Sequence, residues 1–295
     1  MKFNEALDKF INWKKFMIKP LSTKGYFFDL RAFCLYLRNP EIGQVTVEDV
    51  IEYFKGMEEL GWEKNTFSRK SMALRKFFQF LRKMEIKALD YELIPVIQGE
   101  YKPQRVIDEP NYQKLLALFN NEHDTRHLRN RAMLNMLWDT GVRNTELLTL
   151  KVSDIDLENM KAVIKTEKAK NKTPFREIFW TRSTNENLRK WLKVRSQVTR
   201  DRKTDALFVS FINSTGYMNN SSFGLLLRRL CAQADIPVFN PHSFRHHMGH
   251  HIVKQGGSNS DVSNILGHSS LESSYVYTKM NNKELQNRYK HFMGD

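Results

Sequence analysis

Cysteine is nearly absent from this chain. Its 295 residues hold two, Cys34 and Cys231, both within apolar helical patterns. Two distant thiols cannot build a cysteine metal site, and buried structural thiols are expected rather than a disulfide, as in a reducing compartment. Long apolar runs are missing too: no stretch reaches the ~18 apolar residues that a membrane span needs. The N-terminal MKFNEALDKFINWKKF carries charge throughout and lacks a clean apolar signal region. A cytoplasmic protein follows as the expectation. No internal repeat and no low-complexity tract is evident.

Acidic residues are outnumbered, 33 against 47 Lys and Arg, for a net charge of +14. Such a balance favours a polyanionic partner, a nucleic acid or else an acidic membrane surface. Length suggests two domains, and the 41% hydrophobic content can supply a core for each.

Residues 1 to about 95 read as four or five short helices. Thr23 is the expected N-cap for Tyr26, Phe27, Leu30, Phe33, Cys34 and Leu37 at helical spacing. Thr46-Val47-Glu48-Asp49 resembles a capping box, and Gly61 is a plausible helix stop. A helix from about Thr66 to Met84 sets Phe67, Met72, Leu74, Phe77, Phe78, Phe80 and Leu81 on one side. Arg69, Lys70, Arg75, Lys76, Arg82 and Lys83 fall on the other. That basic side is either a solvated face or a helix laid along phosphates. Residues 96–108, with two nearby prolines, a glycine and no clear period, are the expected linker. From 109 the pattern is helical again, interrupted by two short apolar runs, Ala162-Val163-Ile164 and Phe175 to Trp180. The lysine-rich segment between them predicts a β-hairpin with a basic turn.

The chemistry concentrates in four short segments. Arg143 stands in Thr140-Gly141-Val142-Arg143-Asn144-Thr145-Glu146-Leu147, at an apparent helix start; Arg245 follows His242 by three, on one helical face. A planar guanidinium bonds two phosphoryl oxygens at once and stays charged. Leu266-Gly267-His268 comes next, and Tyr277 lies nine residues beyond His268. A phenol of pKa ~10 attacks phosphorus only if its developing charge is stabilised. Tyr275 is two residues away and faces elsewhere on a helix. A departing 5′-oxygen needs a proton, which a hairpin lysine can deliver. Counting from the first strand points to Lys168, counting back from Arg176 points to Lys170, and Lys168 is favoured. His246 and His250, like His247 and His251, are four apart, but the Glu of His-Glu-x-x-His is missing and no third ligand is apparent. No metal and no cofactor is assigned.

With these residues in place the chain resembles the tyrosine recombinases, the group that includes Xer-type and phage or transposon integrases. TGVRNTELLTL looks like the first arginine box, NPHSFRHHMGHHIVKQGG like the His-x-x-Arg box, and LGHSSLESSYVYTK like the final His and Tyr box. The resemblance implies Arg143, Lys168 (alternative Lys170), His242, Arg245 and His268 as the phosphate-activating set, with Tyr277 as nucleophile. Glu146, at the acidic position after the first arginine, would orient the site. Arg69, Lys70, Arg75, Lys76 and Lys172 are the expected DNA contacts. The hairpin departs from the family pattern, with Glu167 and Ala169 flanking Lys168 where a glycine is usual.

The implied fold is mostly α with a small β-hairpin or sheet, in a two-domain C-shaped DNA clamp. A helical core-binding domain (1–95) and a catalytic domain (109–295) would close on a double-stranded core site. No arm-binding domain is expected ahead of them, as in Xer-like or resolvase-like enzymes. A homo-tetramer on two DNA sites, active through a Holliday junction, is implied in a cytoplasmic, nucleoid-associated setting. Leu285, Tyr289 and Phe292 form a stripe that would dock on the next protomer. Two other readings stay open from the residues alone: a non-catalytic DNA-binding regulator, and a metal-dependent nuclease using the histidine cluster.

Overall fold

The computed structural model describes residues 1–17, 20–100, 105–166, 175–199, 202–212 and 216–267. Lys168, Lys170, Lys172, His268, Tyr275, Tyr277 and the 285–292 stripe lie outside the described residues. The chain divides into two compact units, Met1–Pro103 and Gln104–Asp295. The expected linker is claimed from both ends: Ile97 packs on the first core, and Ile107 is fully buried in the second.

The first unit is helical: α1 (Phe3–Lys15), α2 (Pro20–Tyr36), α3 (Val47–Glu59) and α4 (Lys64–Lys83). Thr46 caps α3 as the sequence predicts. Its hydroxyl accepts from the Asp49 N–H at 3.2 Å, and Asp49 accepts from the Thr46 N–H at 2.8 Å. Gly61, at φ +69°, ends that helical run in the left-handed region open to glycine. Thr23 is corrected: α2 begins at Pro20, where a missing N–H costs a helix nothing, and Thr23 lies buried within its first turn. Phenylalanine fills the core. Phe3 packs on Phe77 with centroids 5.0 Å apart, and Phe10 meets both Phe77 and Phe80 at 5.5 Å.

The basic side of α4 also needs correction. Lys70 is 5% exposed. Its ammonium donates to the Tyr53 hydroxyl at 3.0 Å and pairs with the buried Asp29 carboxylate at 3.6 Å. A buried carboxylate without a cation is costly, and Asp29 takes Arg69 as well as Lys70. Arg75 is half-buried, donating to the Tyr91 and Ile94 carbonyls at 2.9 and 2.5 Å. Lys70 and Arg75 are therefore interior braces, whereas Lys76 is exposed.

The second unit comprises α5 (Glu109–Ala117), α6 (Thr125–Thr140), α7 (Asn144–Thr149), β1 (Ile155–Asp156), β2 (Lys161–Lys165), β3 (Phe175–Phe179), α8 (Arg182–Thr199), α9 (Asn220–Gln233), α10 (Pro241–Lys254) and α11 (Asn259–Leu266). Helix α6 is buried on most sides, with Leu128, Ala132, Met133, Leu134, Met136 and Leu137 inside alongside the polar Arg129, Asn130 and Asn135, which marks it as the central helix. Helix α8 packs on it through Trp191, whose indole is fully buried and donates to the Leu207 carbonyl at 2.9 Å. Replacing Trp191 with alanine is expected to lower stability by about 3–5 kcal/mol, read from urea denaturation of the full chain. A loss below about 1 kcal/mol would contradict this central packing role.

The predicted hairpin forms, and a short third strand precedes it. The sheet has order β1-β2-β3, antiparallel throughout, with Ile164 opposite Arg176 and Lys165 opposite Phe175. Along β2 burial alternates: Ala162 and Ile164 face inward, Val163 and Lys165 outward. Directly opposite residues share a face, so Arg176 points to the buried side with Ile164. Cys34 and Cys231 are both buried free thiols.

Candidate active site

Two helices of the second unit end on left-handed glycines. Gly141 closes α6 at φ +55°, and Gly267 closes α11 at φ +67°. The last carbonyls of a helix have no intrahelical partner and carry partial negative charge, so cations gather there. Arginines fill that role here. Arg245, on the first turns of α10, is 2% exposed and donates to the Gly141 carbonyl at 2.9 Å and to the Leu266 carbonyl at 2.6 Å. It thereby joins the ends of α6 and α11. Gly141 itself has no room for a side chain: a Cβ there would meet Leu266 Cδ2 at 2.7 Å.

Arg143 occupies the N-cap position of α7, one turn from Gly141. Its Nη1 donates to Glu146 Oε1 at 2.7 Å and its Nη2 to the Gly267 carbonyl at 2.9 Å. Glu146 is 2% exposed. It also accepts from the Arg143 backbone N–H at 2.9 Å and from Arg176 Nη2 at 2.9 Å. Burial pushes its carboxyl up, but Arg176 together with the charge and hydrogen bonds of Arg143 outweighs burial and holds the pKa below its ordinary value. Glu146 is thus a carboxylate clamped between two guanidinium groups. Arg176 completes the cluster, donating from Nη1 to the Ile265 carbonyl at 2.8 Å. Three arginines from α7, β3 and α10 therefore meet three consecutive carbonyls, those of Gly267, Ile265 and Leu266 respectively.

The histidines of α10 separate by face. His242 is exposed near the helix start and meets the His246 ring edge-on at 4.9 Å. His246 is buried, and desolvation, reinforced by His242, His250 and Arg245, lowers its pKa to about 4. It is neutral at pH 7. His247 stacks on Trp138 at 3.7 Å, and Trp138 stacks on Tyr112 at 3.9 Å. Among the described residues no group of three His, Cys, Asp or Glu side chains is placed to hold a metal ion. His247 also stacks on His251, with centroids 5.9 Å apart.

The family model described as the phage integrase family matches residues 105–284, and the phage integrase N-terminal SAM-like domain matches residues 17–85. The chain belongs to the phage integrase family. As a member it is a tyrosine site-specific recombinase. Among relatives of this integrase, the tyrosine recombinase XerC of Oceanobacillus iheyensis is 28% identical, over 92% of this chain and 89% of that protein. The tyrosine recombinase XerD of Haemophilus influenzae is 26% identical, over 99% of each. In fold, the integrase is similar to the Tn1549 transposon integrase solved with transposon right end DNA, at TM-score 0.76 and 18% identity with full coverage of both chains. It is also similar to XerH recombinase bound to its difH substrate, at TM-score 0.66 and 22% identity, over 90% of this chain and 79% of that one. These neighbours share its mostly helical, two-domain architecture.

Of the residues singled out in the sequence of this integrase, Arg143, Glu146 and Arg245 come together around the end of α11, and His242 sits on the same helix as Arg245. Lys168, Lys170, His268 and Tyr277 fall outside the described residues. Arg176 was used in the sequence only as a counting mark, although its spacing of two from the inward-facing Ile178 put it on the buried face of the strand.

Proposed function

We propose that this integrase cleaves and rejoins DNA through a 3′-phosphotyrosyl intermediate, exchanging strands by way of a Holliday junction. The observation that carries the reading is the convergence of Arg143 and Arg245 on residues 266 and 267, immediately before His268. Two guanidinium groups held there would meet the non-bridging oxygens of a scissile phosphate, with His242 and His268 adding hydrogen bonds. Tyr277 attacks phosphorus; the Oη–P bond forms as the P–O5′ bond breaks, and the phenol gives up its proton to solvent. Lys168, or Lys170 by the alternative count, protonates the departing 5′-oxygen. The phosphodiester energy is kept in the protein–DNA bond, so rejoining needs no ATP.

The substrate is a double-stranded core site bound by a core-binding domain (1–95) and a catalytic domain (109–295). Four protomers act on two such sites, with the segment beyond Tyr277 docking in trans. Resolution or integration of a mobile element, or of a replicon dimer, is the outcome. The named DNA complexes of the structural neighbours and the +14 net charge support this assignment, and a cytoplasmic, nucleoid-associated location is proposed with it. Lys76, Arg69 and Lys172 remain assigned to phosphate contact.

The test is a nicked suicide duplex carrying a core site selected from a randomised pool. A covalent protein–DNA adduct is expected in the presence of EDTA, with binding that weakens steeply as salt rises. Cleavage that EDTA abolishes would sink the reading in favour of a metal-dependent nuclease; binding with no adduct would leave a DNA-binding regulator.

A further inference from the structure

Arg176 belongs to none of the motifs that mark the site, yet its guanidinium sits at the junction of two of its parts. One nitrogen reaches Glu146, which in turn holds Arg143; another reaches the Ile265 carbonyl in the last turn of α11. The side chain is 10% exposed, and its backbone is pinned independently by pairing with Ile164. The strand therefore does not need this side chain to stay in place. What the side chain does join is α7 to the end of α11, closing a ring: Arg143 to Glu146, Glu146 to Arg176, Arg176 to Ile265, and Gly267 back to Arg143. The fit is tight. A Cβ at residue 267 would lie 2.6 Å from Arg176 Nε and 2.7 Å from its Cδ, so the glycine makes room for the arginine as well as for the turn.

We propose that Arg176 is a positioning residue for strand cleavage: acting through Glu146, it holds the Arg143 guanidinium in fixed relation to the 265–267 turn, and so to Arg245. Arg176 itself does not touch the phosphate. A planar fork is required, because the two acceptors lie on different elements and a lysine ammonium is a single point charge. With the ring open, Arg143 keeps only its own bond to the Gly267 carbonyl and can pivot about it together with Glu146. Misplacing a reacting group by about 1 Å costs on the order of 100-fold in rate.

This inference rests on the phosphotyrosyl reading above, and the experiment separates the two. Full-length Arg176→Lys and Arg176→Gln are compared with the unsubstituted enzyme for adduct formation on the nicked duplex. Each is measured with an ordinary scissile phosphodiester and with a methylphosphonate, which lacks the non-bridging negative charge. Expected on the diester is a cleavage rate about 100-fold lower, with binding of the duplex nearly unchanged and the thermal midpoint lowered by only a few degrees. On the methylphosphonate, where Arg143 has less charge to meet, the penalty should shrink at least several-fold. A variant that cleaves the diester at the unsubstituted rate overturns the proposal, and so does a penalty of equal size on both substrates. If Arg176→Lys does not fold, Arg176→Gln is judged by the same outcomes. Failure of the unsubstituted enzyme to form any adduct would instead overturn the phosphotyrosyl reading itself.

Discussion

Tyr277→Phe is expected to abolish the covalent adduct on a nicked core site, and Tyr275→Phe to leave it at the unsubstituted level. The substitution removes one oxygen and keeps the ring, so packing and DNA binding are preserved while the nucleophile is lost. No other group at that position can substitute for it: a phenol of pKa about 10 becomes reactive only where fixed positive charge meets the oxyanion as it forms. On the proposed function that charge would come from the arginines gathered at the end of α11, whose closing Gly267 stands one residue before His268 in the sequence and ten before Tyr277. A tyrosine two positions away on a helix points to a different side. The measurement is retention of labelled DNA on the denatured protein, in EDTA. An adduct that persists in Tyr277→Phe, or that disappears in Tyr275→Phe, would move the nucleophile elsewhere.

Arg245→Ala and Arg143→Ala should both reduce cleavage by about 10³–10⁵, the range for an arginine that neutralises a phosphoryl transition state. Their effects on stability should part company. Arg245 is 2% exposed and ties two helix ends together through the Gly141 and Leu266 carbonyls. Alanine leaves both acceptors buried and unmet, at about 1–3 kcal/mol each. The Arg143 side chain is 16% exposed, and its partner Glu146 keeps Arg176 when it is gone. Its loss should cost about 1 kcal/mol. Urea denaturation beside single-turnover cleavage reads both quantities. Equal stability losses would mean that Arg245 is not the internal brace described, and a cleavage loss below about tenfold for either would remove that residue from the phosphate-binding pair.

Periodicity and capping chemistry made much of this legible from the sequence. The capping box at Thr46, the stop at Gly61 and the strand pair flanking the lysine-rich segment each depend on residues close to one another in sequence. What escaped was decided by partners distant in sequence. Lys70 and Arg75 fall on the polar side of an amphipathic helix, but Asp29 on α2 draws the first inward and the carbonyls after α4 hold the second. Nothing in the spacing of α4 announces a buried carboxylate 41 residues earlier. The stacking of His247 on Trp138 likewise joins two helices, which the spacing within α10 does not announce. Arg176 hid for a related reason. Its face was readable from the strand period, but its meaning came from Glu146, 30 residues away, and Ile265, 89 residues away.

At the end of α11 the three arginines are received by main-chain oxygens, not by side chains of that helix. Chemical identity at residues 265 and 266 is thereby uncoupled from the geometry of the charge cluster. Ile265, 46% exposed, can drift toward any residue a helix accepts, and its carbonyl will still be there for Arg176. Gly267 has no such freedom, being held by a left-handed backbone and by the arginine against it. A lineage of this enzyme can therefore rewrite the outside of α11 without retuning its chemistry.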